Sequence, residues 1–160
     1  MKRNRLKRAF VVGSAALASL AIVVVATIAL PPHQTADVAM PADDASPEQV
    51  TGAFIDALNA HDCDTAQSLS TPSESADAQR WCERVGSMGS VNLGIPSEED
   101  PSWSGHDMSV EVVYVPVSFD LDWRPFRGDG SMPEGATDWG YQLARETPTS
   151  PWRIFGQGIG

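Results

Sequence analysis

Few side chains in this 160-residue chain are of types that do chemistry, and their spacing decides what each can do. Cys63 and Cys82 are its two cysteines. A pair of thiols can form a disulfide, stay reduced, or join a metal site, and a structural zinc site needs four Cys, His or carboxylate ligands. His61 lies near Cys63, but His106 is remote and no H-x-x-x-H spacing occurs. A Cys63–Cys82 disulfide is therefore expected in an oxidising compartment, with free thiols as the alternative. No metal and no cofactor are expected.

General acid–base work needs a His or carboxylate held in a cavity. His61 and His106 fall in predicted loops, His33 in a polar linker, and Asp56 off the apolar stripe of its helix. Glu98-Glu99-Asp100 reads as a solvated charge run. Asp120-x-Asp122 and Asp129-x-Ser131 look like pieces of a calcium loop, but Trp123, Pro125 and Phe126 interrupt them and no Glu closes the loop. There is no G-x-S-x-G, no H-E-x-x-H and no phosphate-cradling glycine loop. No catalytic residue is assigned. Five aromatics, Phe54, Trp81, Tyr114, Trp139 and Tyr141, are candidates to line a cavity or to fill a core.

The compartment is set by Ala9–Leu30, 22 residues without a charge. As a helix they would rise about 33 Å, enough for a bilayer core of about 30 Å. Lys2, Arg3, Arg5, Lys7 and Arg8 precede them, and the next Lys or Arg is Arg80. That asymmetry predicts a single transmembrane span with a cytoplasmic N-terminus and an extracytoplasmic domain. A cleaved signal peptide followed by secretion is the alternative, although its apolar region is usually shorter. The resulting organisation is a basic tail (1–8), an anchor (9–30), a Pro/Ala/Asp-rich linker (31–45) and one domain (46–160). Beyond the tail, six arginines face 21 acidic residues, which argues against nucleic acid and anionic lipid surfaces as partners.

Within the domain, Ser46, Pro47 and Gln49 form a capping box, and Val50, Ala53, Phe54, Ala57 and Leu58 make one apolar stripe. A helix over 47–60 follows. Short helices are expected over 63–69 and 75–85, each carrying one cysteine on its inner face. Strands are expected over 90–96 (Val91, Leu93 and Ile95 alternating), 108–123, 138–146 and 152–159. In the second of these, odd positions from Val113 to Trp123 are apolar and even ones turn polar, the pattern of a half-buried antiparallel strand. Pro116 cannot donate to a ladder and predicts an edge or a bulge. Helices grouped before strands give an α+β class: three helices on one face of a curved, mainly antiparallel four-stranded sheet.

The run S-P-E-Q-V-T-G-A-F-I-D-A-L-N-A-H-D, the strand D-W-G-Y-Q-L-A-R-E and the closing P-W-R-I-F-G-Q-G-I-G resemble the nuclear transport factor two-like superfamily, in particular small membrane-anchored actinobacterial members. The resemblance covers residues 46–160. It implies a cone-shaped fold with a cavity between helix and sheet, in a group that includes dehydratases, isomerases, partner-binding domains and scaffolds of membrane machines. With no catalytic constellation in the chain, the expected function is non-catalytic: protein interaction or assembly at the cell envelope, with a protein partner there. A binder of a small hydrophobic ligand or lipid, and a dehydratase- or isomerase-like enzyme, are the alternatives. Oligomeric state stays open.

Overall fold

The computed structural model describes residues 30–128, 130 and 132–159. The expected basic tail and nearly all of the expected anchor lie outside them. Among the described residues no helix is long and apolar enough to cross a membrane. The second of the chain's two units, Pro32–Gly160, holds every element considered below.

Helix α1 spans Pro47–Ala60. Its capping box is formed on both sides: Ser46 N–H donates to Gln49 Oε1 at 2.8 Å and Gln49 N–H donates to Ser46 Oγ at 3.4 Å. The buried face is wider than the predicted stripe, because Thr51, Ile55 and Ala60 are buried as well. Thr51 is tolerated there because its hydroxyl donates to the Pro47 carbonyl at 2.9 Å. The helix ends at His61, which takes left-handed geometry (φ 54°), a conformation a Cβ disfavours. A side-chain bond compensates: His61 Nδ1–H donates to the Cys82 carbonyl at 3.0 Å. His61 is thus a helix terminator tied to the third helix.

Helices α2 (Cys63–Ser68) and α3 (Ser75–Arg84) are each too short to stand alone in water. The Cys63–Cys82 disulfide joins them, with Cα atoms 5.6 Å apart and Cys82 fully buried. A polar ladder reinforces the joint: Gln67 Nε2 donates to Gln79 Oε1, and Gln79 Nε2 to Glu83 Oε1, both at 2.7 Å.

Five strands follow, all antiparallel: β1 Val85–Leu93, β2 Ser97–Glu99, β3 Glu111–Trp123, β4 Gly135–Arg145 and β5 Arg153–Gly158, in the order β1-β3-β4-β5, with β2 also on β3. This corrects the expected four-stranded sheet. The additional strand, Ser97–Glu99, was hidden in a polar loop because its sequence, Ser-Glu-Glu, has no apolar alternation. Backbone pairing to Val112–Tyr114 holds it, together with a bond from Gln142 Nε2 to Glu99 Oε2 at 2.9 Å. The strand expected over 90–96 is also displaced. β1 begins where α3 ends, and two register breaks, one at Ser90 with φ 50°, shift its facing. Met88 then points into the core, whereas Val91 and Ile95 are exposed. The outer edge of β1 is not left open. Asn59 on α1 accepts from Met88 N–H at 2.7 Å and donates to its carbonyl at 3.1 Å, standing in for a neighbouring strand.

Odd-numbered residues of β3 join α1 in a continuous core that includes Phe54, Ile55, Leu58, Val115, Phe119, Tyr141, Leu143 and Ile154. Residues 32–45 carry no helix or strand but are bonded to this body. Thr35 N–H donates to the Ala60 carbonyl at 2.8 Å, Val38 N–H donates to Asp62 Oδ2 at 2.9 Å, and Val38 packs against the core. Asp62 is only 5% exposed and its other oxygen accepts from Thr65 N–H at 3.2 Å, capping α2.

Two outcomes follow. Reducing the disulfide, or Cys82→Ser, should remove about 3 kcal/mol in the chain-entropy account and lower Tm by on the order of 10 °C in calorimetry; an unchanged Tm would count against its role as a staple. The Val38 N–H bond, opposed by burial and helped by Thr65, holds the Asp62 carboxyl below its ordinary value. Its folded pKa lies below its unfolded one, so its contribution is present above about pH 4 and fades as pH falls further. Hydrogen exchange should show Val38 losing protection on acidification, and Asp62→Asn should abolish that pH dependence.

Candidate functional site

The helices cover one face of the sheet, and the other face carries an open groove. Even-numbered residues of β3 point to it. Asn92, Ser118 and Asp138 stand abreast on β1, β3 and β4, and Pro116, Gly140 and Gly158 form the next row on β3, β4 and β5. Between and beside these rows lies a solvent-open groove of about 410 Å³, also lined by Gly94, Tyr114, Val117, Trp139 and Ile159.

Its shape follows from backbone chemistry. Pro116 sits in the middle of the central strand rather than on an edge strand or at a bulge. Its carbonyl accepts from Gly94 N–H at 2.8 Å. In a strand, N–H and C=O of one residue point the same way, so the donor that proline lacks would face the gap between β1, which ends at Leu93, and β2, which starts at Ser97. A Cβ on Gly94 would come within 2.7 Å of the Pro116 ring. On the other side, a Cβ on Gly140 would fall inside the Tyr114 ring, which lies across that glycine. The floor is therefore the Pro116 ring, with the Tyr114 ring laid over Gly140 on one side and Asn92, Ser118 and Asp138 on the other.

The five aromatic candidates divide. Phe54 and Tyr141 are buried and meet edge-on at 5.4 Å within the core; neither lines any cleft described here. Trp81 stacks between Trp123 (5.5 Å) and Trp139 (5.7 Å) and borders a separate cleft of about 160 Å³ with Arg80 and Arg84. Tyr114 and Trp139 alone reach the groove. Burial without a hydrogen-bond partner pushes the Tyr141 phenol well above its ordinary value, so it keeps its proton at physiological pH.

The titratable residues are spread over separate structural tasks. His61 caps α1, and His106 meets the Phe155 ring at 4.6 Å. Asp100 accepts from Ser102 N–H at 2.9 Å and Oγ–H at 2.6 Å, capping the 3-10 turn Pro101–Ser104, and these bonds lower its pKa. Asp56, Asp120 and Asp122 are exposed; Asp129 and Ser131 lie outside the described residues. Among the described residues no three His, Cys, Asp or Glu side chains gather as metal ligands. Sequence reasoning missed Gly94, Pro116, Gly140 and Asp138 as a group. The available signal was a glycine inside a strong strand pattern, D-W-G-Y.

No protein family matches the chain, and no curated protein matches it. Among solved structures, it is similar to the solution structure of a SEC-C motif containing protein from Rhodopseudomonas palustris, at 17% identity, covering 74% of this chain and 82% of that one, with a TM-score of 0.47. Nothing is argued from a likeness of that extent. The comparisons do not return the nuclear transport factor two-like superfamily, and the expected resemblance is withdrawn with the cone-shaped fold. The motifs that suggested it have local causes: Asn59 closes the β1 edge, His61 and Asp62 end one helix and begin the next, and Trp152 packs under Arg145 with 4.5 Å between guanidinium and ring.

Gly140→Ala should displace the Tyr114 ring and cost about 1–3 kcal/mol, the usual range for overpacking. The cost should shrink in a Tyr114→Ala background, as a double-mutant cycle in urea would show. Equal costs in both backgrounds would mean that the ring does not rest on Gly140.

Proposed function

We propose that the chain is a membrane-held, extracytoplasmic, non-catalytic interaction domain that works at the cell envelope. The observation that carries this is the open sheet face: a groove of about 410 Å³ lined by Tyr114, Pro116 and one charged side chain, Asp138. His61, His106 and Asp100, by contrast, are spent on caps or packing. Export is supported by the Cys63–Cys82 disulfide, a bond that persists in oxidising compartments. The anchor rests on the charge-free run Ala9–Leu30 and its basic flank.

Two measurements test the proposal. A C-terminal alkaline phosphatase fusion, active only outside the cytoplasm, should be active and should stay in the membrane fraction. A photo-crosslinking side chain at Ser118 should give a discrete crosslinked product in intact cells, while the same probe at Asp56, on the exposed side of α1, should not. An inactive fusion would sink the topology. Absence of crosslinks from every surface position sampled would sink the interaction role.

A further inference from the structure

We propose that the groove receives a basic, extended segment of a protein partner, with one Arg or Lys side chain seated between the Tyr114 ring and the Asp138 carboxylate. This rests on the interaction-domain function and specifies the partner's chemistry.

Charge selects a cation. Asp138 is exposed at the groove wall, and Asp120 and Asp122 continue the acidic row along the same face of β3. Among the described residues no Lys or Arg lines the groove beside Asp138. A carboxylate beside an aromatic face suits a guanidinium or ammonium group, which gains from both the charge and the ring.

Shape selects an extended backbone. Gly158, in one row with Pro116 and Gly140, has nothing within 4 Å of where a Cβ would stand, so a second main chain can approach the sheet closely there. Asn92 and Ser118 add side-chain donors and acceptors along the same wall. Ile159 is 83% exposed at the end of the groove, an apolar contact for a residue beside the cation.

The same charges disfavour the other occupants. A second copy of this face would set Asp120, Asp122 and Asp138 against their own kind. An acidic peptide meets the same repulsion.

The test uses the full chain in detergent micelles and three fluorescent peptides, each a fourfold repeat: Gly-Arg-Leu, Gly-Gln-Leu and Gly-Glu-Leu. Anisotropy should show saturable binding of the arginine peptide, at least tenfold tighter than the other two and weaker at about 0.5 M than at about 0.05 M salt. Asp138→Asn and Tyr114→Ala should each weaken it about tenfold. Asp64→Asn, which removes one exposed charge from α2, should leave it unchanged; circular dichroism and the intact disulfide report folding of each variant. Equal binding of the glutamine or glutamate peptide would overturn the proposal, as would indifference to Asp138→Asn and Tyr114→Ala. A dimer in sedimentation that Asp138→Asn strengthens would reassign the face to self-association. Crosslinks from Ser118 in cells without arginine-peptide binding would overturn this assignment while leaving the interaction role intact; absence of both would remove the two together.

Discussion

The missing amide hydrogen of Pro116 governs the sheet. β3 is the central strand, paired along its length with β4 on one side. On its other side it cannot offer a continuous row of donors, so two partners share that edge with a break between them. β1 covers Val117–Trp123 and β2 covers Val112–Tyr114. The chain crosses the break at Gly94, whose N–H takes up the one group Pro116 still presents, its carbonyl. The Pro116 ring, packed against Gly94 at the floor of the groove, marks that crossing. Tyr114 leans over Gly140 on the opposite side because no side chain stops it. One imino acid thus marks where β1 and β2 part along β3 and shapes the open face beside it.

The two sheet edges are managed by different chemistry. On the β1 side, the Asn59 amide bonds both backbone groups of Met88. On the β5 side, the loop after α2 supplies a short parallel bridge: Ile154 N–H donates to the Leu69 carbonyl at 3.0 Å, and Thr71 N–H donates to the Ile154 carbonyl at 2.7 Å. Unpaired strand edges invite association with other chains. Each device shields part of one edge, at Met88 and at Ile154.

Much of the helical part and the central strand was legible in the sequence, because those signals are local. Ser46, Pro47 and Gln49 announce α1, and the odd-position Val, Phe and Leu residues announce β3. β1 was misplaced because its bulges break the period-two rule that reading alternation depends on, leaving Val91 and Ile95 outside. β2 was invisible because backbone pairing, not side-chain pattern, holds it. The groove was not legible at all. It depends on which glycine faces which proline or tyrosine across three strands, and register is a tertiary quantity. The aromatic candidates showed the same limit: type alone could not separate Tyr141, sealed in the core, from Tyr114, half-buried at the groove.

The seating of residues 32–45 gives the domain a mechanical polarity. Tension arriving from the N-terminal side of the chain reaches the folded body first at the Thr35–Ala60 and Val38–Asp62 bonds. Asp62 is followed directly by Cys63, whose bridge to Cys82 is covalent. The bonds loaded first therefore lie at the helical corner that the disulfide closes, away from the ladder of the sheet. A domain pulled from that end would keep its open face in shape while the strap peeled, one amide at a time.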